Sequence, residues 1–140
     1  MYIMYDDKAI DSNEIRGEIE SNSEFKVELD LAKSSKREDI LAYKLSIDIS
    51  KLDKIMEEHQ DEFDIKNVDE DGMFVFYMDL AESMAIDLEK FMPKYSILQS
   101  RAYKLDMSEN CVKLVIAITH ANIGMAKLSD VIKRLVSQVD

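Results

Sequence analysis

The amino-acid sequence predicts an α+β fold: a largely antiparallel sheet built from three successive strand–strand–helix units, with the helices packed on one face. Three observations carry that expectation. Apolar and polar residues alternate over 24–32 and 40–49, the period of a half-buried strand. Apolar residues recur at helical spacing over 51–63, 81–92 and 123–139. The chain has 140 residues, 46% apolar and 34% charged, with three Gly and one Pro, which suits a single folded domain over 1–140 with no linker dividing it.

Residues 1–23 are the least determined part, an arm holding a short strand "MYIMY" and a helix near Ser12–Glu20. Gly17 and the sparse apolar positions Ile15 and Ile19 weaken that helix. In "EFKVELDLA", Phe25, Val27, Leu29 and Leu31 face one way and Lys26, Glu28 and Asp30 the other. After the polar loop "KSSKRED", Leu41, Tyr43, Leu45, Ile47 and Ile49 repeat the pattern, so the two strands are expected to pair as an antiparallel hairpin. Ser50 is suited to cap a helix from Lys51 to about Phe63, because its hydroxyl can accept an orphan backbone N–H. Leu52, Ile55, Met56, His59 and Phe63 form the inward stripe of that helix.

The second unit is expected to be a hairpin of Ile65–Val68 and Met73–Asp79 around the turn "DEDG", then a helix over 81–92 that Pro93 ends. The third is a hairpin of Ile97–Met107 and Cys111–His120 around "SEN", then a helix capped by Asn122, with Ile123, Leu128, Val131, Ile132, Leu135 and Val139 on its apolar side. Val115 and Ala117 are apolar on the face opposite Leu114 and Ile116, which makes the last strand central. "AYKL" occurs at 42–45 and at 102–105, once in a second strand and once in a first, so the copies are out of register and indicate no duplication. The size, low isoelectric point and hairpin–helix ending resemble secretion-chaperone folds at the level of architecture, with an extra hairpin ahead of the helix at 51.

One stretch, "IKNVDEDGMFVFYMD", invites comparison with a calcium loop. Such a loop needs oxygen ligands at positions 1, 3 and 5, a Gly at 6 and a bidentate Glu at 12. With Asn67 at position 1, Asp69, Asp71 and Gly72 fall correctly, but position 12 is Met78. The aromatic and β-branched residues that follow favour a strand. The expected role is a tight turn in which Asp-Gly supplies positive φ, with no metal. His59, near Glu58 and Glu62, lacks the paired Glu-x-x-His motifs of a bundle metal centre. His120 ends a strand without the spacing of a nucleophile and its base. Cys111, the lone cysteine, cannot form an internal disulfide and is expected to be a small buried apolar group. Gly17, Gly72 and Gly124 are scattered, so no phosphate loop and no cofactor is expected. The basic residues of 94–134 form no run and match no RNA-recognition signature. No apolar run approaches a membrane span, and "MYIMYDDKAI" lacks the layout of a signal peptide. With the single cysteine, this gives a cytoplasmic expectation.

Charge is the dominant surface feature. The formal net charge is −11, and 13 acidic against 4 basic residues fall within 51–90. If Leu52, Ile55, Met56, His59 and Phe63 turn inward, Glu57, Glu58, Asp61 and Glu62 turn outward as one negative ridge, which Asp69, Glu70 and Asp71 continue. Such a field repels nucleic acid and anionic membranes and attracts basic partners. The expectation is a non-enzymatic acidic binding module that sequesters or inhibits a basic partner, such as a nuclease or nucleic-acid-binding protein, by imitating the spacing of phosphates. Solvation alone is the plainer role of such a face. Two other functions stay open: a chaperone-like or scaffold homodimer using an apolar surface, for which nine methionines offer adaptable contacts, and a small-ligand protein or enzyme with His59 or His120 near a pocket.

Overall fold

In the computed structural model, which describes residues 1–58 and 69–139, the chain is an α+β protein with helices packed against an antiparallel sheet. It begins with a hairpin, β1 (Tyr2–Tyr5) and β2 (Lys8–Asp11), that leads into α1 (Ser12–Asn22). β3 (Lys26–Asp30) and β4 (Ile40–Asp48) follow, then α2 (Ile49–Glu58) and α3 (Glu70–Ile86). β5 (Ser96–Asp106), β6 (Cys111–His120) and α4 (Met125–Val139) complete the described chain. The main sheet has the order β3–β4–β6–β5, every neighbour antiparallel, with β6 central as its two apolar faces predict and β4, expected to be half-buried, central beside it. The strand–strand–helix rhythm is present three times, but its first instance is the N-terminal arm, whose second strand the sequence did not indicate.

Alternation in the two central strands makes two cores, because successive side chains point to opposite faces. Leu41, Tyr43, Leu45 and Ile47 of β4 and Val112, Leu114, Ile116 and Ile118 of β6 face one side, with Ile15 and Ile19 of α1, Leu52 of α2 and Ala81 and Ala85 of α3. Ile40 and Ala42 with Val115 and Ala117 face the other side, against Leu128, Val131, Ile132 and Leu135 of α4. The helices therefore cover both faces of the sheet, where the sequence reading had placed them on one. The reason lies in β4 and β6 themselves: a strand that is apolar on both faces needs a layer on each. Full burial of each Leu or Ile is worth about 1.5–3 kcal/mol. The Tyr43 hydroxyl, buried, donates to the Ser12 carbonyl oxygen at 2.6 Å, tying the start of α1 to β4. Burial pushes that phenol's pKa above its ordinary value.

Several sequence expectations change at element boundaries. Met73–Asp79 is not a strand, and "DEDG" is not a β-turn: both belong to α3, because Asp69 caps a helix there and Tyr77, Met78, Leu80 and Met84 reach the core at helical spacing. The helix expected at 81–92 is the end of α3 plus a 3-10 stretch, Asp87–Phe91, after which Met92 is extended ahead of Pro93. Ser50 lies inside α2 and caps nothing, since β4 passes into the helix at Ile49. Leu29 is 50% exposed and Leu31 joins the α4 core, because a bulge between Val27 and Leu29 breaks the alternation of β3. Asn122 does not cap α4, which starts at Met125 after Gly124 at φ +96°. The proposed strand Ile65–Val68 lies outside the described residues.

Side chains from the helical segments bond backbone groups on both edge strands of the sheet. On β3, Arg16 Nη2 donates to the Val27 carbonyl (3.1 Å), and the Val27 N–H reaches Glu20 Oε2 (3.5 Å). On β5, the N–H of Leu98 donates to Glu89 Oε1 (2.9 Å) and that of Ala102 to Glu82 Oε1 (2.8 Å). Among the described residues, no helix is long and apolar enough to cross a membrane.

Candidate functional site

The acidic set is placed by two helix ends. In α2, Leu52 and Met56 are buried, which turns Asp53, Glu57 and Glu58 to solvent as helical spacing requires. At the start of α3, Asp69 is extended (φ −76°, ψ 179°), and its Oδ1 accepts the N–H of Gly72 at 2.8 Å. Glu70 and Asp71 occupy the first turn, where the helix dipole favours negative charge. Glu57, Glu58, Asp69, Glu70 and Asp71 are all exposed, and none makes an ion pair among the described residues. Some carboxylates elsewhere are held intramolecularly: Glu28 by Lys44 and Lys113, Glu109 by Lys113, Asp39 by Arg37 and Glu24 by Lys51. Others, Asp7, Glu14, Glu38 and Asp130 among them, are exposed and without an ion pair among the described residues. Asp61, Glu62 and His59 lie outside the described residues.

The two helices are joined beside this set. The Tyr77 hydroxyl of α3 donates to Asp53 Oδ1 of α2 at 2.5 Å. Partial burial, and then the adjoining Asp53 carboxylate, push the Tyr77 phenol up to about 12, so it remains a donor at neutral pH. Toward solvent, α3 exposes Asp71, Val75, Asp79, Ser83 and Ile86, three or four residues apart and therefore on one stripe.

Other sequence candidates are placed as follows. The calcium ligand Asp69 is spent on its helix cap, and no group of three His, Cys, Asp or Glu side chains among the described residues could hold a metal. Cys111 is buried, and burial pushes its thiol pKa up, away from thiolate chemistry. His120 stands at the end of β6 in a cavity of about 180 Å³, between the rings of Tyr5 (centroids 5.5 Å apart) and Tyr95 (5.9 Å). Its Nδ1 accepts the N–H of Asn122 at 3.1 Å, which puts the proton of the neutral ring on Nε2. Asp6 and Tyr95, both at positive φ, line the same cavity, and Asn122 Nδ2 donates to Asp6 Oδ1 at 3.3 Å. This arrangement locks the first hairpin to the end of β6; sequence spacing could not reveal it, since its residues come from three distant segments.

Compared with known proteins, the chain matches no family model, no curated relative and no solved structure. Function therefore rests on the chemistry of these surfaces. The sequence pattern found the outward carboxylates of α2 but missed the exposed stripe of α3, with its two aliphatic residues, because the assignment of Met73–Asp79 to a strand hid the helical spacing of Val75 and Asp79.

Proposed function

We propose that this protein is a non-enzymatic acidic binding module that captures a basic protein partner through carboxylates at the facing ends of α2 and α3. One observation carries the reading: Glu57, Glu58, Asp69, Glu70 and Asp71 are exposed and free of ion pairs among the described residues, within a chain of net charge −11. Glu57, Glu58, Glu70 and Asp71 need no ion pair among the described residues broken before they meet a lysine or arginine, while Asp69 also caps α3. Carried by two helices that Tyr77 and Asp53 join, they would steer encounter over about a Debye length. A partner that normally binds nucleic acid would find its phosphate contacts imitated, so sequestration or inhibition is the consequence of binding.

A fluorescent oligolysine peptide tests the reading by anisotropy at about 0.05 and 0.5 M salt. The variant Glu57→Lys/Glu58→Lys/Glu70→Lys/Asp71→Lys is expected to lose affinity roughly tenfold or more, equivalent to about 1.4 kcal/mol. A control with the same change in net charge, Asp7→Lys/Glu14→Lys/Glu38→Lys/Asp130→Lys, reverses exposed acids elsewhere. Equal losses in the two variants would mean that overall charge, with no local docking face, does the work.

A further inference from the structure

Resting on that acidic reading, we infer that the outer face of α3 is the docking surface for a basic amphipathic helix of the partner. The stripe Asp71, Val75, Asp79, Ser83 and Ile86 runs about 22 Å along the helix. Val75 is 59% exposed and Ile86 48%. An ordinary surface helix turns its apolar side inward and is polar outward. α3 is apolar on both sides: Ala81 and Ala85 are fully buried and Tyr77, Met78, Leu80 and Met84 pack on the core, while Val75 and Ile86 face outward.

Charge complementarity selects the occupant. Glu70–Ile86 contains four acidic residues and no lysine or arginine. Two acids, Asp71 and Asp79, and two aliphatics, Val75 and Ile86, share its exposed stripe with Ser83, and Glu57 and Glu58 lie on the adjoining helix. The matching surface carries Lys or Arg beside Leu, Ile or Phe. A second copy of this chain would bring the same acids face to face, which like-charge repulsion opposes. Strand addition is the other common mode of peptide capture, but Arg16, Glu20, Glu82 and Glu89 already bond backbone groups of Val27, Leu98 and Ala102 on the edge strands, which interrupts those edges. A helix surface with side chains three and four residues apart accepts the ridges of another helix. Met78, half-buried, borders the stripe on its core-packed side, and its thioether can repack as an apolar anchor arrives.

Two peptides of about 18 residues and identical Leu/Lys composition, long enough to span the stripe, provide the probe: one ordered as an amphipathic helix, one scrambled. The ordered peptide is expected to bind roughly tenfold more tightly than the scrambled one and to shift the methyl resonances of Val75 and Ile86 in the wild-type protein. Val75→Ser/Ile86→Ser, both at exposed positions, is expected to lower its affinity about tenfold at low and high salt alike while leaving oligolysine binding unchanged. Equal affinity for the two peptides, with no effect of the serine variant, would overturn the docked helix and leave the acidic function standing. Unchanged affinity of the ordered peptide for the four-carboxylate reversal would overturn the basic character of the occupant, and the acidic function with it. A wild-type dimer in sedimentation that the serine variant converts to monomer would assign the face to a second copy of the chain, and so also overturn the proposal.

Discussion

Asp69 shows how one side chain selects among structures that share the same letters. "DEDG" suits a calcium loop, a tight turn and a helix N-terminus, since each uses short acidic side chains next to a glycine. In the fold, the carboxylate accepts the Gly72 N–H, one of the donors that a helix start leaves without an intrahelical partner, and Glu70 and Asp71 lie where the dipole favours them. Glycine's tolerance of positive φ is not used at Gly72, which is helical. The exposed state of Glu57 and Glu58, by contrast, was legible from the spacing of Leu52 and Met56 alone. If Asp69 acts as a cap, Asp69→Ala lowers stability by about 1 kcal/mol, whereas Asp69→Ser stays within a few tenths of wild type. Urea unfolding with and without millimolar calcium checks this: the midpoint is expected to ignore calcium in all three proteins. A calcium-dependent midpoint in the wild type that both substitutions abolish would assign the carboxylate to a metal instead.

β4, β5, β6 and α4 were readable because their patterns are long and agree with their burial, so that local preference and tertiary packing point the same way. α3 is where they part. Phe74, Val75, Phe76 and Tyr77 favour a strand by intrinsic preference, but packing on the sheet through Ala81 and Ala85 decides for a helix, as tertiary context commonly does. The β3 bulge was hidden for another reason: an inserted register shift leaves the sequence alternation intact while moving Leu29 to solvent. α3 also guards an edge. Long, open edge strands invite pairing with other chains, and Glu82 and the following 3-10 stretch's Glu89 fill two outward amides of β5. Removing both acceptors with Glu82→Ala/Glu89→Ala is expected to speed amide exchange selectively at Leu98 and Ala102 and to cost about 1–3 kcal/mol per lost bond in urea unfolding, since each acceptor is charged. Glu→Gln at both sites keeps a carbonyl acceptor and retains more of that stability. Uniform acceleration across β5 and β6 would instead indicate loosening of the whole sheet, with no specific edge role for the two carboxylates.

For the whole molecule, the question is whether attraction or repulsion among charges dominates. The ion pairs of Arg16–Glu20, Lys51–Glu24 and Lys104–Asp106 involve well-exposed cations, and such pairs contribute about 0–1 kcal/mol each. Lys113 is better placed: only 11% of its side chain is exposed, it contacts both Glu109 and Glu28, and the hydrogen bond to Glu109 holds its pKa above the ordinary lysine value. Against these stands a net charge of −11, crowded into the segment that carries the proposed docking face. Like charges at that density repel in the compact state and separate on unfolding, so a partner-free protein stores repulsion that a basic ligand would relieve. Raising sodium chloride from about 0.01 to 0.2 M, where the screening length falls from about 30 to below 10 Å, is therefore expected to raise the urea midpoint. In the Glu57→Lys/Glu58→Lys/Glu70→Lys/Asp71→Lys variant, four reversals of two units each bring the net charge to −3, and the salt response should shrink or change sign. A wild-type midpoint that falls as salt rises would mean that the ion pairs outweigh the repulsion, and would remove the energetic reason for this face to seek a basic partner.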